Sequence, residues 1–138
     1  MSEFINTADI IGDDEMCDRL IMRTVTEYKE NRIASIRING FRSCRELVVV
    51  DVPSVNSIER GAFHECVALT ALILRGDTVC VLNTVNWSET FYNTPIKNGT
   101  GYIYVPRSLV DTYKAATNWS TYAAQIRAIE DYPDITGG

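Results

Sequence analysis

The stretch Ile36-Arg-Ile-Asn-Gly-Phe41-Arg-Ser-Cys44-Arg-Glu-Leu47-Val-Val-Val50-Asp-Val52 returns 22 residues later as Ile58-Glu-Arg-Gly-Ala-Phe63-His-Glu-Cys66-Val-Ala-Leu69-Thr-Ala-Leu72-Ile-Leu74. Six apolar positions keep one register across the two copies. A third, looser copy begins at Val79 and Leu82, passes Phe91 and ends on Ile103, Val105 and Pro106, echoing Val50, Val52 and Pro53. A period in the low twenties suits one turn of a solenoid, in which each turn hides its apolar side against its neighbours.

Within each period the order of side chains assigns roles. Ile33-Ala-Ser-Ile36, Val55-Asn-Ser-Ile58 and Val79-Cys-Val-Leu82 read as short strands that stack in one row. Phe41 and Phe63 follow, each three residues before a cysteine, so a turn drives a large ring and then a small polarisable side chain inward. After the cysteine comes Leu-x-x-apolar-x-apolar, the pattern of a parallel strand with alternate side chains turned in. If Val50, Val52, Leu72, Leu74, Ile103 and Val105 point inward, then Val49, Asp51, Ala71, Ile73, Arg75, Tyr102 and Tyr104 point outward. That outer row is rich in apolar groups. Either it is a contact surface, with Val49, Asp51, Ile73, Arg75, Tyr102 and Tyr104 as candidate binding residues, or a loop or the N-terminal helix covers it.

The third copy is stretched. From Ile58 to Leu82 is 24 residues and from Phe63 to Phe91 is 28, so the surplus becomes a bulge on the rim. It carries Trp87, Phe91, Tyr92 and Pro95, then the Asn98-Gly-Thr-Gly101 turn back into the last strand. Trp87, Phe91 and Tyr92 form a second candidate binding set, as a recognition tip or as the lid that fills the widened coil.

The ends read as helical. From Asp14, the residues Met16, Cys17, Leu20, Ile21, Val25 and Tyr28 fall at helical steps, which predicts a helix cap within residues 1–31. Residues 32–105 hold the repeats. Over 106–130 the spacing predicts one helix with Leu109, Val110 and Tyr113 on a face, and a second capped by Asn118 with Trp119, Tyr122, Ile126 and Ile129. Residues 131–138 read as a tail that dangles or docks on a partner. The whole is one α/β domain, a short leucine-rich-repeat solenoid of parallel strands with capping helices at both ends.

The run Ile58-x-x-x-Ala-Phe63-x-x-Cys66-x-x-Leu69-x-x-Leu72-x-Leu74 resembles the BspA-type leucine-rich repeat. The ending Tyr102-Ile-Tyr-Val-Pro-Arg-Ser-Leu-Val-Asp-Thr-Tyr-Lys-Ala-Ala-Thr-Asn-Trp-Ser-Thr-Tyr-Ala is similar to the closing segment of such repeats in structural proteins of bacteriophages and prophages of gut bacteria. The resemblance spans roughly Ile33 to Ile129. It implies a non-enzymatic protein-binding or surface-display module: a virion component, capsid-decorating or tail-associated, that binds another virion protein. The alternative is an adhesive module that recognises a host surface ligand. A homo-oligomer is a further option. Localisation in the virion, after synthesis in the host bacterial cytoplasm, follows from the same resemblance.

Composition narrows the field further. A formal net charge of −5 over 138 residues leaves nucleic-acid binding to a local basic patch, and the densest one, Arg37, Arg42 and Arg45, is interrupted by Glu46. No apolar run is long enough to span a membrane, and Met1-Ser-Glu-Phe-Ile-Asn does not read as a signal peptide. In a reducing cytoplasm Cys17, Cys44, Cys66 and Cys80 are expected as free thiols, although Cys44 and Cys66 on adjacent coils lie within disulfide range. No metal or cofactor is expected: there is no Cys-x-x-Cys, and His64 is the single histidine. The sequence also lacks a Gly-x-Ser-x-Gly elbow and a phosphate-cradling glycine loop, so no catalytic residue is assigned. The sequons at Asn86, Asn98 and Asn118 carry no weight without an export signal.

Overall fold

Alternating apolar triplets one period apart become hydrogen-bonded neighbours. Ser35 and Ile36 pair in parallel with Ser57 and Ile58, and Val49, Val50 and Asp51 pair with Ala71, Leu72 and Ile73, each 22 residues on. These pairings come from a computed structural model that describes residues 26–29 and 32–137. In chain order the strands are β1 (Glu27–Lys29), β2 (Ser35–Ile36), β3 (Val49–Asp51), β4 (Ser57–Ile58), β5 (Ala71–Ile73), β6 (Val81–Leu82), β7 (Tyr102–Val105) and β8 (Ile126–Ala128). They form two parallel sheets, one of five strands in the order β1-β3-β5-β7-β8 and one of three in the order β2-β4-β6. The fold is therefore mixed α/β with parallel strands, as the sequence pattern requires.

A third ladder joins the turns that follow β2, β4 and β6. Phe41 N donates to the Ala62 carbonyl at 2.7 Å and Phe63 N to the Thr90 carbonyl at 3.1 Å. Ser43 N and Glu65 N likewise donate to the His64 and Tyr92 carbonyls, both at 2.8 Å. These turns need left-handed backbone at matching places: Asn39 and Gly61, then Ser43, Glu65 and Asn93, all have φ between 56° and 70°. At Gly61 sterics add to the φ demand. A Cβ there would sit 2.3 Å from Asn39 Oδ1 and 2.7 Å from Ser88 Oγ, so any side chain would have to displace both as well as adopt a left-handed backbone.

The rings that the period repeats are stacked through the core. Phe41 and Phe63 lie 5.5 Å apart with an interplanar angle of 2°, and Phe63 and Phe91 lie 5.8 Å apart at 7°. Tyr28 meets Phe41 edge-on at one end, and Tyr122 meets Phe91 edge-on at the other. Around this column the inward positions Val50, Val52, Leu72, Leu74, Ile103 and Val105 are all buried. Cys66 is a free thiol beside the column and donates to the Phe41 carbonyl at 2.9 Å. Cys44 departs from the expectation of four free thiols. It is disulfide-bonded, whereas Cys66 and Cys80 are free as expected, and Cys17 lies outside the described residues.

Both ends differ from the helical expectation. The helix predicted from Asp14 falls outside the described residues up to position 25, but Tyr28 is in a strand, not on a helix face. It pairs with Val50, again 22 residues on, so the period reaches back further than its apolar signature. After β7 a 3-10 turn, Arg107–Leu109, leads into the short helix Val110–Ala115, where Tyr113 is buried. The predicted second helix is a 3-10 stretch, Ser120–Gln125, that gives way to β8, because Ile126 and Ala128 complete the sheet beside Ile103 and Val105. Asn118 does not cap a helix. It adopts φ 67°, and its side-chain amide donates to the Leu82 carbonyl at 2.6 Å.

That last bond belongs to a set that finishes the three-stranded sheet. Among the described residues the outer edge of β6 meets no further strand; side chains from the 113–119 segment take its backbone groups instead. Cys80 N donates to Tyr113 Oη at 2.8 Å, and Trp119 Nε1 donates to the Cys80 carbonyl at 2.6 Å. Among the described residues no helix is long and apolar enough to cross a membrane.

Phe63→Ala removes the middle ring of the column and should lower unfolding stability by ~3–5 kcal/mol in urea titration. Trp119→Phe leaves the Cys80 carbonyl buried without its donor and should cost roughly 1–3 kcal/mol in the same measurement. Equal midpoints for Phe63→Ala and the unaltered chain would contradict the stacked core.

Candidate functional site

The outward sheet positions lie in the lanes that alternation assigns, but the chain covers them itself. Ala71, Ile73 and Tyr104 form a second apolar cluster with Ile129, and Val49, Tyr102 and Tyr132 pack around it. Ile73 and Tyr104 keep only 1% and 2% of their exposure. The end of the predicted second helix and the 131–138 segment, expected to dangle or to dock on a partner, do this: Ile129–Asp131 and the short helix Pro133–Thr136 fold back across the face of their own chain. Tyr132 meets Tyr104 edge-on at 5.4 Å. Arg75 grips Asp51 with two nitrogens at 2.9–3.2 Å and also donates to the Thr136 carbonyl, which ties the covering segment to β3 and β5. Arg107 pairs with Asp131 on the other flank. Of the six candidate residues on this face, the structure brings all together, and buries Asp51, Ile73 and Tyr104 under the chain's own C-terminal segment.

The insertion behaves differently. Phe91, grouped with Trp87 and Tyr92 from sequence, is fully buried as the third ring of the column and presents nothing to solvent. Trp87 and Tyr92 are exposed, at 76% and 45%. The loop that lifts them is held by buried threonines. Thr90 Oγ1 donates to the Asn83 carbonyl at 2.6 Å, Thr90 N donates to Thr84 Oγ1, and Thr94 Oγ1 donates to the Phe91 carbonyl at 2.7 Å. Thr94 also caps the helix Pro95–Asn98 by accepting from Lys97 N, and Gly99 ends that helix with φ 95°.

Between this loop and the neighbouring turns lies an open groove of about 520 Å³, within the size range of small-ligand sites. Trp87 and Tyr92 line it, together with Arg42, His64, Asn86, Glu89 and Lys97. Three of these share one place in the period: Arg42, His64 and Tyr92 each follow a ring of the core column. The stacking of Phe41, Phe63 and Phe91 therefore aligns the next residue of each turn into a row on the rim. His64 stacks on Tyr92 at 4.7 Å and 21°, and its Nδ1 lies 3.2 Å from the Glu89 carbonyl. Since a carbonyl only accepts, Nδ1 is the donor of this contact. Lys97 pairs with Glu89. Arg60 lies over the Trp87 ring, 4.5 Å from its centroid. Single-residue reading of the sequence missed Arg42, Asn86, Glu89 and Lys97. The signal that would have found Arg42 is its position immediately after a core ring.

The groove offers aromatic faces, hydrogen-bonding side chains and the charged groups Arg42, Glu89 and Lys97. Among the described residues no group of three His, Cys, Asp or Glu side chains could hold a metal ion. The free thiols are not poised as nucleophiles: burial pushes Cys66 and Cys80 up to about 12 from 9.0, against the small opposing effect of the Cys44 backbone and Arg45 on Cys66. Burial also pushes Tyr113 and Tyr122 to about 12. No protein-family model matches the chain, and no curated protein matches it either.

Two outcomes follow for these buried acids. At pH 8 the native protein should leave Cys66 and Cys80 unlabelled by iodoacetamide, and both should label in urea; rapid native labelling of either would contradict their burial. Because the folded values lie above the unfolded ones, this part of the stability is fully present below pH 9. It is lost as pH rises from about 9 toward about 12, where the unfolded chain ionises first. Thermal melts across that window should show the midpoint falling.

Proposed function

We propose that the chain is a short leucine-rich-repeat solenoid of BspA type, and that it acts in a bacteriophage virion as a non-enzymatic binding module. On this reading its contact site is the groove at the rim, and its ligand is a component of the bacterial host surface. The observation that carries the reading is the contrast between the two candidate surfaces. The outer sheet face is occupied by residues 129–136, whereas Trp87 and Tyr92 stand exposed beside a groove with polar walls. Exposed aromatic rings of this kind supply large contact area at little cost in side-chain entropy, which suits them to binding sites.

Support for the repeat assignment comes from the stacking of equivalent residues one period apart, in both sheets and in the ring column. Support for a binding role over catalysis comes from buried, protonated thiols and a groove that holds one histidine with its Nδ1 engaged. Attachment to another virion protein is the second reading. Val81 favours it, being exposed at 56% on β6 away from the rim groove, where it offers an apolar contact. The same surface would serve a homo-oligomer.

Each reading has its own assay. Trp87→Ala with Tyr92→Ala should abolish binding of the purified protein to host cells while far-UV circular dichroism stays unchanged. Unaltered cell binding would remove the adhesive role. Purified particles should contain the protein, and its absence from them would remove the virion role.

A further inference from the structure

We propose that the rim groove is a saccharide site, selective for a sugar that carries a carboxylate. The inference rests on the reading of the groove as the contact site and deepens it by naming the ligand class.

The walls match the two faces of a pyranose ring. Its axial C–H face is apolar and bears slightly positive hydrogens, which settle on the negative face of an aromatic ring. Trp87 and Tyr92 supply such rings, and both are exposed. Arg60 occupies one side of the Trp87 indole but does not line the groove, so it braces the ring from outside and leaves the rest for a ligand. Tyr92 is held by the His64 ring, which stacks on it and itself lines the groove. Two platforms that are each held by a stacked neighbour lose little freedom on binding.

The hydroxyls of a sugar need donors and acceptors in alternation, and the groove has both. Asn86 offers an amide with two donors and an acceptor, Glu89 offers carboxylate oxygens, and His64 offers its second ring nitrogen, Nε2, since Nδ1 is committed to the Glu89 carbonyl. A purely apolar peptide would leave these groups unpaired, which disfavours it.

Charge selects among sugars. Lys97 is answered by Glu89. Arg42 has no acid partner among the described residues, so one cation in the groove is left over, on a chain whose formal net charge is −5. A guanidinium presents a planar fork that fits a carboxylate with two parallel hydrogen bonds. The complement of the groove is thus one ring face, several hydroxyls and a single carboxylate, which is the description of a hexuronic or similar acidic sugar.

The protein carries its own reporter. Of its two tryptophans, Trp119 is buried in the core and Trp87 stands in the groove, so emission excited at 295 nm follows the site. The full chain would be titrated with hyaluronan and polygalacturonate tetrasaccharides, their carboxyl-reduced forms, and cellotetraose. At least one acidic oligosaccharide should give saturable quenching, and its reduced form should bind roughly tenfold or more weakly, the effect of losing one charge-assisted hydrogen bond. Arg42→Gln should remove that preference while keeping the residual affinity. Trp87→Phe should keep binding, followed by calorimetry, and Trp87→Ala should lose it with an unchanged melting temperature. Equal affinity for acidic and reduced forms would overturn the carboxylate assignment. If no saccharide binds while host-cell binding persists and is still lost in Trp87→Ala with Tyr92→Ala, the saccharide class is wrong and a protein ligand takes its place, with the groove intact as the contact site. If cell binding ignores that double substitution, the underlying reading fails instead.

Discussion

Three phenyl rings, spaced 5.5 and 5.8 Å apart, set the dimensions of everything around them. Strands that pair in parallel lie about 4.8 Å apart, and offset ring stacking tolerates a slightly wider spacing, so the column and the two sheets can share one vertical step. Each pass of the chain must therefore return its ring to the same axis whatever its length. The pass that holds Phe63 follows Phe41 after 22 residues, and the pass that holds Phe91 needs 28. Surplus residues cannot thicken the stack without separating the rings, so they leave it sideways. The raised loop with Trp87 at its crest is the mechanical result of keeping Phe91 in line.

How far this was legible in the sequence depended on whether a signal repeated. The ring column, the inward lanes and the short row led by Ile36, Ile58 and Leu82 could be read directly, because each position recurs with the same chemistry. β1 and β8 could not. Each is a three-residue strand whose only specification is a neighbour, and a triplet is too short to establish a period of two. Tyr28 also stands three residues after Val25, which imitates a helix face, and Ile126 and Ile129 do the same near the other end. In both places pairing with a strand already in the sheet outweighed a local pattern. The groove was half legible. Trp87 and Tyr92 announce themselves as aromatic residues in an insertion, but Arg42 and His64 are unremarkable alone and become a row only when successive turns are laid on one another.

The two faces of the molecule thus have different economies of surface. On the outer side of the five-stranded sheet, Ile129, Tyr132 and the Asp51–Arg75 pair turn a patch of apolar side chains into an internal layer. A sheet face that carried Ile73, Tyr102 and Tyr104 uncovered would associate with whatever apolar surface it met. On the rim the opposite holds: Trp87 and Tyr92 are held by Arg60 and His64 and remain exposed. The covered sheet face and the exposed rim are built by different segments, residues 129–136 and the loop around Trp87.

The closure of β6 bears on how such a chain can change size. Tyr113, Asn118 and Trp119 satisfy the Cys80 and Leu82 backbone from positions that do not belong to the 22-residue unit. A duplicated unit spliced between Pro53 and Ser54 would present the same strand edges above and below, and the terminating contacts at Cys80 and Leu82 would be untouched. The molecule would grow by one strand spacing, about 4.8 Å, and its rim row by one residue. Length is in that sense a free variable of this architecture, open to gene duplication without redesign of the finished edge.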